Sequence, residues 1–225
     1  MSSKEYTKKL LEPIDIDDTS CLVLRLNAHG EIIKKIRKLP NIESLTFTHV
    51  WWFQEWTRLC KVLKNSCPDS LNQFEFDFSN AGACHYKYQN YHQSLIEIAK
   101  KVKNYFSLSY CKLNKEEFEE IIVAARNCSS IRFFACTIIA GTECDFGDKL
   151  TDAKFTELSF DSTGHSNYSS WKTNPCYFRN IFTGLAKCSP VLKTNLQFVN
   201  ILNCEFDKDL ARSILSELEF QNAHV

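Results

Sequence analysis

The sequence predicts an α/β repeat architecture, with a parallel sheet along one side and helices along the other, because three observations agree. Three stretches share one pattern: Leu108, Cys111 and Leu113; Phe133, Cys136 and Ile138; Ile201, Cys204 and Phe206. A further apolar residue stands two positions upstream in each, at Phe106, Ile131 and Val199, so the unit reads as a strand with one buried face and its exit turn. Downstream, Phe118, Ile121, Ile122, Ala125 and Cys128 recur at the same offsets as Phe178, Ile181, Phe182, Leu185 and Cys188, which trace one helix face. A strand, turn and helix this short cannot bury its own apolar side, so copies must stack into a solenoid. The chain has 225 residues and 44% hydrophobic content, enough for one continuous core.

The elements follow in order. Residues 1–20 are polar and charged, with Leu10 and Leu11 before Pro13, and read as an N-terminal capping segment. Residues 21–225 hold about seven repeats. A short first copy lies at Leu22, Leu24 and Leu26, followed by a helix over 31–39, whose Ile32, Ile33, Ile36 and Leu39 keep helical spacing before Pro40. The next copies are Ile42, Leu45 and Phe47, with a helix face at Trp56, Leu59, Cys60 and Leu63, then Leu71, Phe74 and Phe76. Leu95, Ile98, Ala99 and Val102 read as another helix face, and Lys103 takes the first apolar site of the copy that holds Phe106. From Leu45 the equivalent positions are Phe74, Phe106, Ile131, Leu158 and Val199, at uneven steps. Asn114 with Glu117, and Asn174 before Pro175, mark helix starts. The fifth copy, from Ile131, has no helical pattern, and the sixth, at Phe155, Leu158 and Phe160, carries an inserted segment over 161–177. The seventh is Leu196, Val199 and Ile201. Its helix would bury Ala211, Ile214, Leu215 and Leu218, leaving His224 where another strand would begin.

The apolar and cysteine spacing resembles leucine-rich repeats, and a period containing a full helix resembles their ribonuclease-inhibitor-like subclass. That resemblance covers residues 21–225 and implies a sheet on the concave side and helices on the convex side. It departs from the family pattern where Phe and Ile replace Leu, at Lys103, and in the uneven repeat lengths. The family's fold is a scaffold with many partners, so it implies binding without naming what is bound.

Composition narrows the function classes. Residues 1–20 lack the apolar run of a secretory signal, and no stretch approaches a membrane span, so a cytoplasmic protein without membrane contact is expected. Eleven cysteines without such a signal are expected to be reduced, and Cys111, Cys128, Cys136, Cys188 and Cys204 occupy repeat-core positions. Twenty-seven basic residues balance 27 acidic ones, so no global field favours nucleic acid. The basic clusters at Lys34, Lys35, Arg37 and Lys38 and at Lys100, Lys101 and Lys103 read as solvated helix faces. Cys84, His85 and His92, or His165 with Cys176, have metal-ligand chemistry but no zinc spacing, and packing is the simpler fate. No phosphate loop, dinucleotide fingerprint or nucleophile elbow occurs, so neither an enzyme nor a cofactor is expected.

Binding to a protein is the remaining expectation. Residues that alternate with the buried strand positions must face away from the core. These are Thr46 and Thr48, Glu75 and Asp77, Ser107 and Ser109, Arg132 and Phe134, Ser159 and Asp161, Asn200 and Leu202. Glu75, Asp77 and Asp161 would offer acidic contacts, Arg132 a fork of donors, and Phe134 and Leu202 apolar area, with Asn200 between. Exchanging Arg132 for Glu together with Phe134 for Ala is expected to abolish partner capture without altering stability. Trp51 follows a strand in an aromatic cluster, and Trp171 lies in the inserted segment, which competes as a binding loop with the tyrosine-rich segment 79–93. An alternative is an assembly subunit, or a homo-oligomer, packing through the C-terminal end.

Overall fold

A computed structural model describes residues 21–25, 43–48, 71–77, 89–161, 174–202, 204 and 206–225. The protein is α/β. Strands β1 (Cys21–Arg25), β2 (Ser44–Thr48), β3 (Leu71–Asp77), β4 (Val102–Ser109), β6 (Ser130–Phe134), β8 (Glu157–Asp161) and β9 (Phe198–Leu202) form one seven-stranded parallel sheet in chain order. Beside it β5 (Lys112–Asn114) pairs in parallel with β7 (Thr137–Ile139). The described helices are α1 (Gln89–Ala99), α2 (Lys115–Ala124), α3 (Pro175–Cys188), α4 (Pro190–Asn195) and α5 (Lys208–Glu217). The capping segment 1–20, the helix over 31–39 and the face from Trp56 to Leu63 lie outside the described residues.

The strand register follows the apolar pattern. Leu45, Phe74, Phe106, Ile131, Leu158 and Val199 stand opposite one another across successive strands. Phe76, Leu108, Phe133, Phe160 and Ile201 make the next row, and both rows are buried. Slipping any strand by one residue would turn its apolar pair outward, which pins the register. Rings stack along the rows, Phe74 on Phe106 at 5.7 Å and Phe133 on Phe160 at 6.0 Å. Each buried Phe contributes about 1.5–3 kcal/mol over an exposed one.

The exit turns stack by the same logic. After β4 and β6 the chain turns through left-handed backbone at Tyr110 (φ 59°) and Ala135 (φ 47°). That conformation is costly for residues other than glycine, so the surroundings must enforce it. They do so by bonding one turn to the next: the Tyr110 N–H donates to Phe134 O at 2.9 Å, and the Ala135 N–H donates to Asp161 O. The cysteine that follows each turn points inward. The Cys111 N–H donates to Cys136 Sγ at 3.4 Å, and Cys136 Sγ donates to Leu108 O at 3.4 Å. A thiol is small enough to pack here and still serve the backbone groups of the turn.

Helices close the other side of the core. Asn114 caps α2 in a reciprocal box with Glu117, and Asn174 caps α3 with Pro175 at its first position, as the sequence indicates. Phe118, Ile121 and Ile122 of α2 and Phe178, Ile181, Phe182 and Leu185 of α3 are buried in the cluster that holds the strand rows. Leu95, Ile98 and Ala99 of α1 join them, but Val102 does not extend that helix; it opens β4 opposite Leu71. A bulge between Leu71 and Gln73 absorbs the mismatch, so Val102 fills the apolar site to which the sequence assigns Lys103, and Lys103 is exposed. The short helix α4, capped by Ser189, was not evident from periodicity.

No helix lies between β7 and β8. Ala140, Cys144, Phe146, Leu150, Ala153 and Phe155 of that irregular segment are buried instead. Lacking a helix of its own, the segment docks on α3: the Cys144 N–H donates to Asn180 O at 3.1 Å, and Asn180 Nδ2 donates to Ala140 O at 2.7 Å. Gly184 makes the approach possible, because a Cβ there would overlap the carbonyl oxygen of Cys144. At the C-terminal end α5 buries Ala211, Ile214 and Leu215, and His224 forms a parallel bridge with Phe198, where the repeat offsets place another strand start.

Gly184→Ala is therefore expected to destabilise the fold by about 1–3 kcal/mol through overpacking. Gly141→Ala, whose added carbon meets nothing within 4 Å, should leave the urea midpoint unchanged by comparison.

Candidate interaction surface

Residues that alternate with the buried rows form three ladders on the opposite side of the sheet. One runs Thr46, Glu75, Ser107, Arg132, Ser159 and Asn200; the second runs Asp77, Ser109, Phe134, Asp161 and Leu202. The sequence names both. The third, Ser44, Gln73, Tyr105, Ser130, Glu157 and Phe198, lies one step earlier in each strand and was missed, although the same two-residue period would have found it. It matters because it adds Tyr105, Glu157 and the 48% exposed Phe198.

At the centre, Arg132 is held from several sides. Its Nη2 donates to Asp161 Oδ2 at 2.7 Å, and its guanidinium lies 5.0 Å from the Phe134 ring centroid. Phe134 in turn meets Tyr110 edge-to-face at 5.6 Å. Burial alone would lower the Arg132 pKa, but hydrogen bonding to Asp161 and Tyr105 outweighs it and raises it. The Tyr110 hydroxyl is also pushed up, first by burial and then by the negative charges of Asp77 and Asp161. The geometry thus brings Arg132, Phe134, Asp161 and Asp77 together as the sequence suggests, and adds Tyr105 and Tyr110.

Asp161 differs from the expectation. Its side chain is 3% exposed while that of Arg132 is 38% exposed, so the carboxylate is an internal anchor for the guanidinium rather than an acidic contact. The exchange Arg132→Glu with Phe134→Ala consequently cannot leave stability unchanged, because it sets a carboxylate against a buried carboxylate and removes the ring beside Tyr110. Glu75 and Asp77 of β3 are half-buried. Asn200 is half-buried too, its Nδ2 donating to Glu157 Oε1 at 2.6 Å, while Leu202 is 46% exposed. Ser107 and Ser159 are buried, small residues on either side of Arg132 that lower the floor of the face. Trp51, Trp171 and most of the segments 79–93 and 161–177 lie outside the described residues.

Several of the described thiols are shielded by their surroundings. Burial raises Cys111 well above the ordinary thiol range and pushes Cys128 to about 11, Cys144 to about 12 and Cys188 to about 11. Cys176 is the exposed one among the described cysteines. Among the described residues no group of three or more His, Cys, Asp or Glu side chains is placed to hold a metal; Cys84, His85 and His165 are outside them. No described helix is long and apolar enough to cross a membrane. No protein-family model matches the sequence, and no curated protein matches it.

Two outcomes follow. Arg132→Met should cost about 1–3 kcal/mol by taking the guanidinium away from the buried Asp161 carboxylate, a range below that of a fully buried pair because Arg132 is partly solvated. Adding Asp161→Leu should recover most of that loss in a double-mutant cycle read by urea unfolding. The raised thiol pKa values keep protons on the folded state while the unfolded thiols ionise near their ordinary 9.0. The unfolded state then binds fewer protons, so this contribution is intact below pH 9 and is lost as pH climbs toward 11–12, measurable as a falling urea midpoint.

Proposed function

We propose that the chain is a leucine-rich-repeat-like solenoid that acts as a noncatalytic protein-interaction module, binding its partner on the sheet face centred on Arg132 and Phe134. The strict chain-order pairing of the parallel strands and the stacking of cysteine turns support the repeat reading, since each copy pairs with the copies before and after it. One observation carries the binding reading: the face opposite the core is built as ladders in register that hold a positioned guanidinium, two aromatic side chains and exposed apolar residues. A sheet serving only as solvated surface has no need of Phe198 and Leu202, half exposed on a single strand. The raised pKa values of Cys111 and Cys144 speak against these two thiols as nucleophiles, since the thiolate is the reactive form.

A second reading, a subunit of a larger assembly, draws support from the bridge at His224. Val199 N–H donates to His224 O and His224 N–H to Gln197 O, both at 2.8 Å, which begins a strand beside β9 that a further element could continue. Sedimentation across micromolar concentrations separates self-assembly from a monomeric module.

The main test is affinity capture of the tagged chain from its native extract with mass spectrometry. Phe198→Ser with Leu202→Ser should lose the captured partner at an unchanged melting temperature, because both side chains are half exposed already. Val191→Ser, equally exposed at 46% but on α4, should retain it. Retention of the same partner by all three proteins would move the interface off the sheet.

A further inference from the structure

On the helical side of the sheet, α2 has a helix beside it on one flank only. There α1 lies along it, with His92 Nε2 meeting Glu120 Oε2 at 2.5 Å. On the other flank the fifth copy supplies no helix, and the irregular segment reaches α2 through the Asp145 N–H, which donates to Glu119 Oε1 at 2.7 Å. The outer face of α2 is left at the bottom of a cavity of about 410 Å³, walled by α1 and by that segment, with Ile96, Val123, Ala124 and Phe146 as its apolar floor.

The two ends of this cavity carry opposite charge. Glu116, Glu119 and Glu120 stand on the first turns of α2, with Asp145 beside Glu119. Past the other end of the helix come Arg126 and, by the offset that sets His92 against Glu120, Lys100 of α1; Lys149 belongs to the turn that sets Asp152 at 3.5 Å from Arg126 Nε. Most of these charges are engaged within the protein. Glu119 also meets Lys115 at 3.6 Å, Asp145 Oδ1 accepts from the Gly147 N–H at 3.0 Å, and Lys100 donates to Glu97 at 2.8 Å. Among the described residues, however, no hydrogen bond or ion pair engages the Glu116 carboxylate or the Lys149 ammonium, and Arg126 Nε is buried without an acceptor, Asp152 forming only a long ion pair with it. Cations at a helix C-terminus commonly serve its last carbonyls. Here the Val123, Ala125 and Arg126 carbonyls already accept from the backbone N–H groups of Arg126, Cys128 and Lys154.

We propose that this cavity binds a short free peptide of about four apolar residues, its carboxylate on Arg126 and Lys149 and its α-ammonium at Glu116. From Glu116 to Ala124 the helix advances about 12 Å, a distance an extended chain covers in about four residues, whereas the two charges of a single amino acid are too close together to reach both ends. A guanidinium suits a carboxylate through paired hydrogen bonds, and the apolar floor takes the side chains between the charged ends. The volume falls within the range of small-ligand sites, about 300–1,000 Å³. This site lies on the helical side of the sheet and stands independently of the reading given to the other side.

The test is a titration of the intact chain, followed by backbone-amide NMR, with leucyl-alanyl-alanyl-leucine in four forms: both ends free, acetylated, amidated, and blocked at both ends. The free peptide should shift the Val123, Ala124 and Arg126 amides and bind about tenfold more tightly than either singly blocked form. On Arg126→Gln with Lys149→Gln, amidation should no longer cost affinity; on Glu116→Gln, acetylation should no longer cost it. Melting temperatures should be unchanged, because Glu116 and Lys149 are exposed and Arg126 is partly so. No shift at these amides, or a blocked end that costs nothing on the unaltered chain, would overturn the proposal, and neither outcome bears on the sheet-face reading.

Discussion

A parallel strand satisfies its backbone only through neighbours on both sides, and here the register of every such pairing is set by two apolar residues per strand. Once Phe74 faces Phe106 and Phe133 faces Phe160, the alternate side chains have no freedom left: they must form ladders on the other side. The face opposite the core is thus a by-product of the packing that builds the core. This explains why uneven spacing between the strands does no damage. Variation in the connections is absorbed by the bulge opening β4 and by the segment between β7 and β8, while the strand centres keep their phase.

The exit turns show how one constraint recruits another. Left-handed backbone at Tyr110 and Ala135 costs energy at non-glycine residues, and each turn is held by hydrogen bonds to the next copy rather than by its own sequence. Cysteine suits the position behind the turn because its sulfur can accept from one backbone group and donate to another in a space a larger side chain could not share. The same burial raises the Cys111 thiol well above its ordinary range. Packing accounts for the recurrence of cysteine behind the turns at Cys111 and Cys136.

Much of this was legible in the sequence, and the exceptions have physical reasons. The row from Leu45 to Val199, the pairing of Leu113 with Ile138, the caps at Asn114 and Asn174, the missing fifth helix and the strand start at His224 all follow from spacing, because spacing encodes which side of an element is buried. Val102 was misassigned because an apolar residue at helical spacing just past a helix looks the same as one that opens the following strand. Gly184 carries no periodic signal; its importance comes from a contact with Cys144, forty positions away, that exists only because a neighbouring copy lacks a helix. On the face, the composition of the ladders was legible but the pairing of Arg132 with Asp161 was not, since it depends on two strands meeting with those residues on adjacent rungs.

That pairing gives the face its character. An isolated arginine on a sheet would offer a mobile cation, free to meet any anion, but Arg132 is tied to a buried carboxylate and seated on Phe134. Its charge is largely spent within the protein, so what it presents outward is a fixed, flat, weakly hydrated surface flanked by small serines. Glu75 and Asp77 stand on the far side of β4, while exposed apolar area sits on β9. The two sides of the face therefore differ in chemistry. That difference follows the order of strands in the sheet, which is the order of the chain.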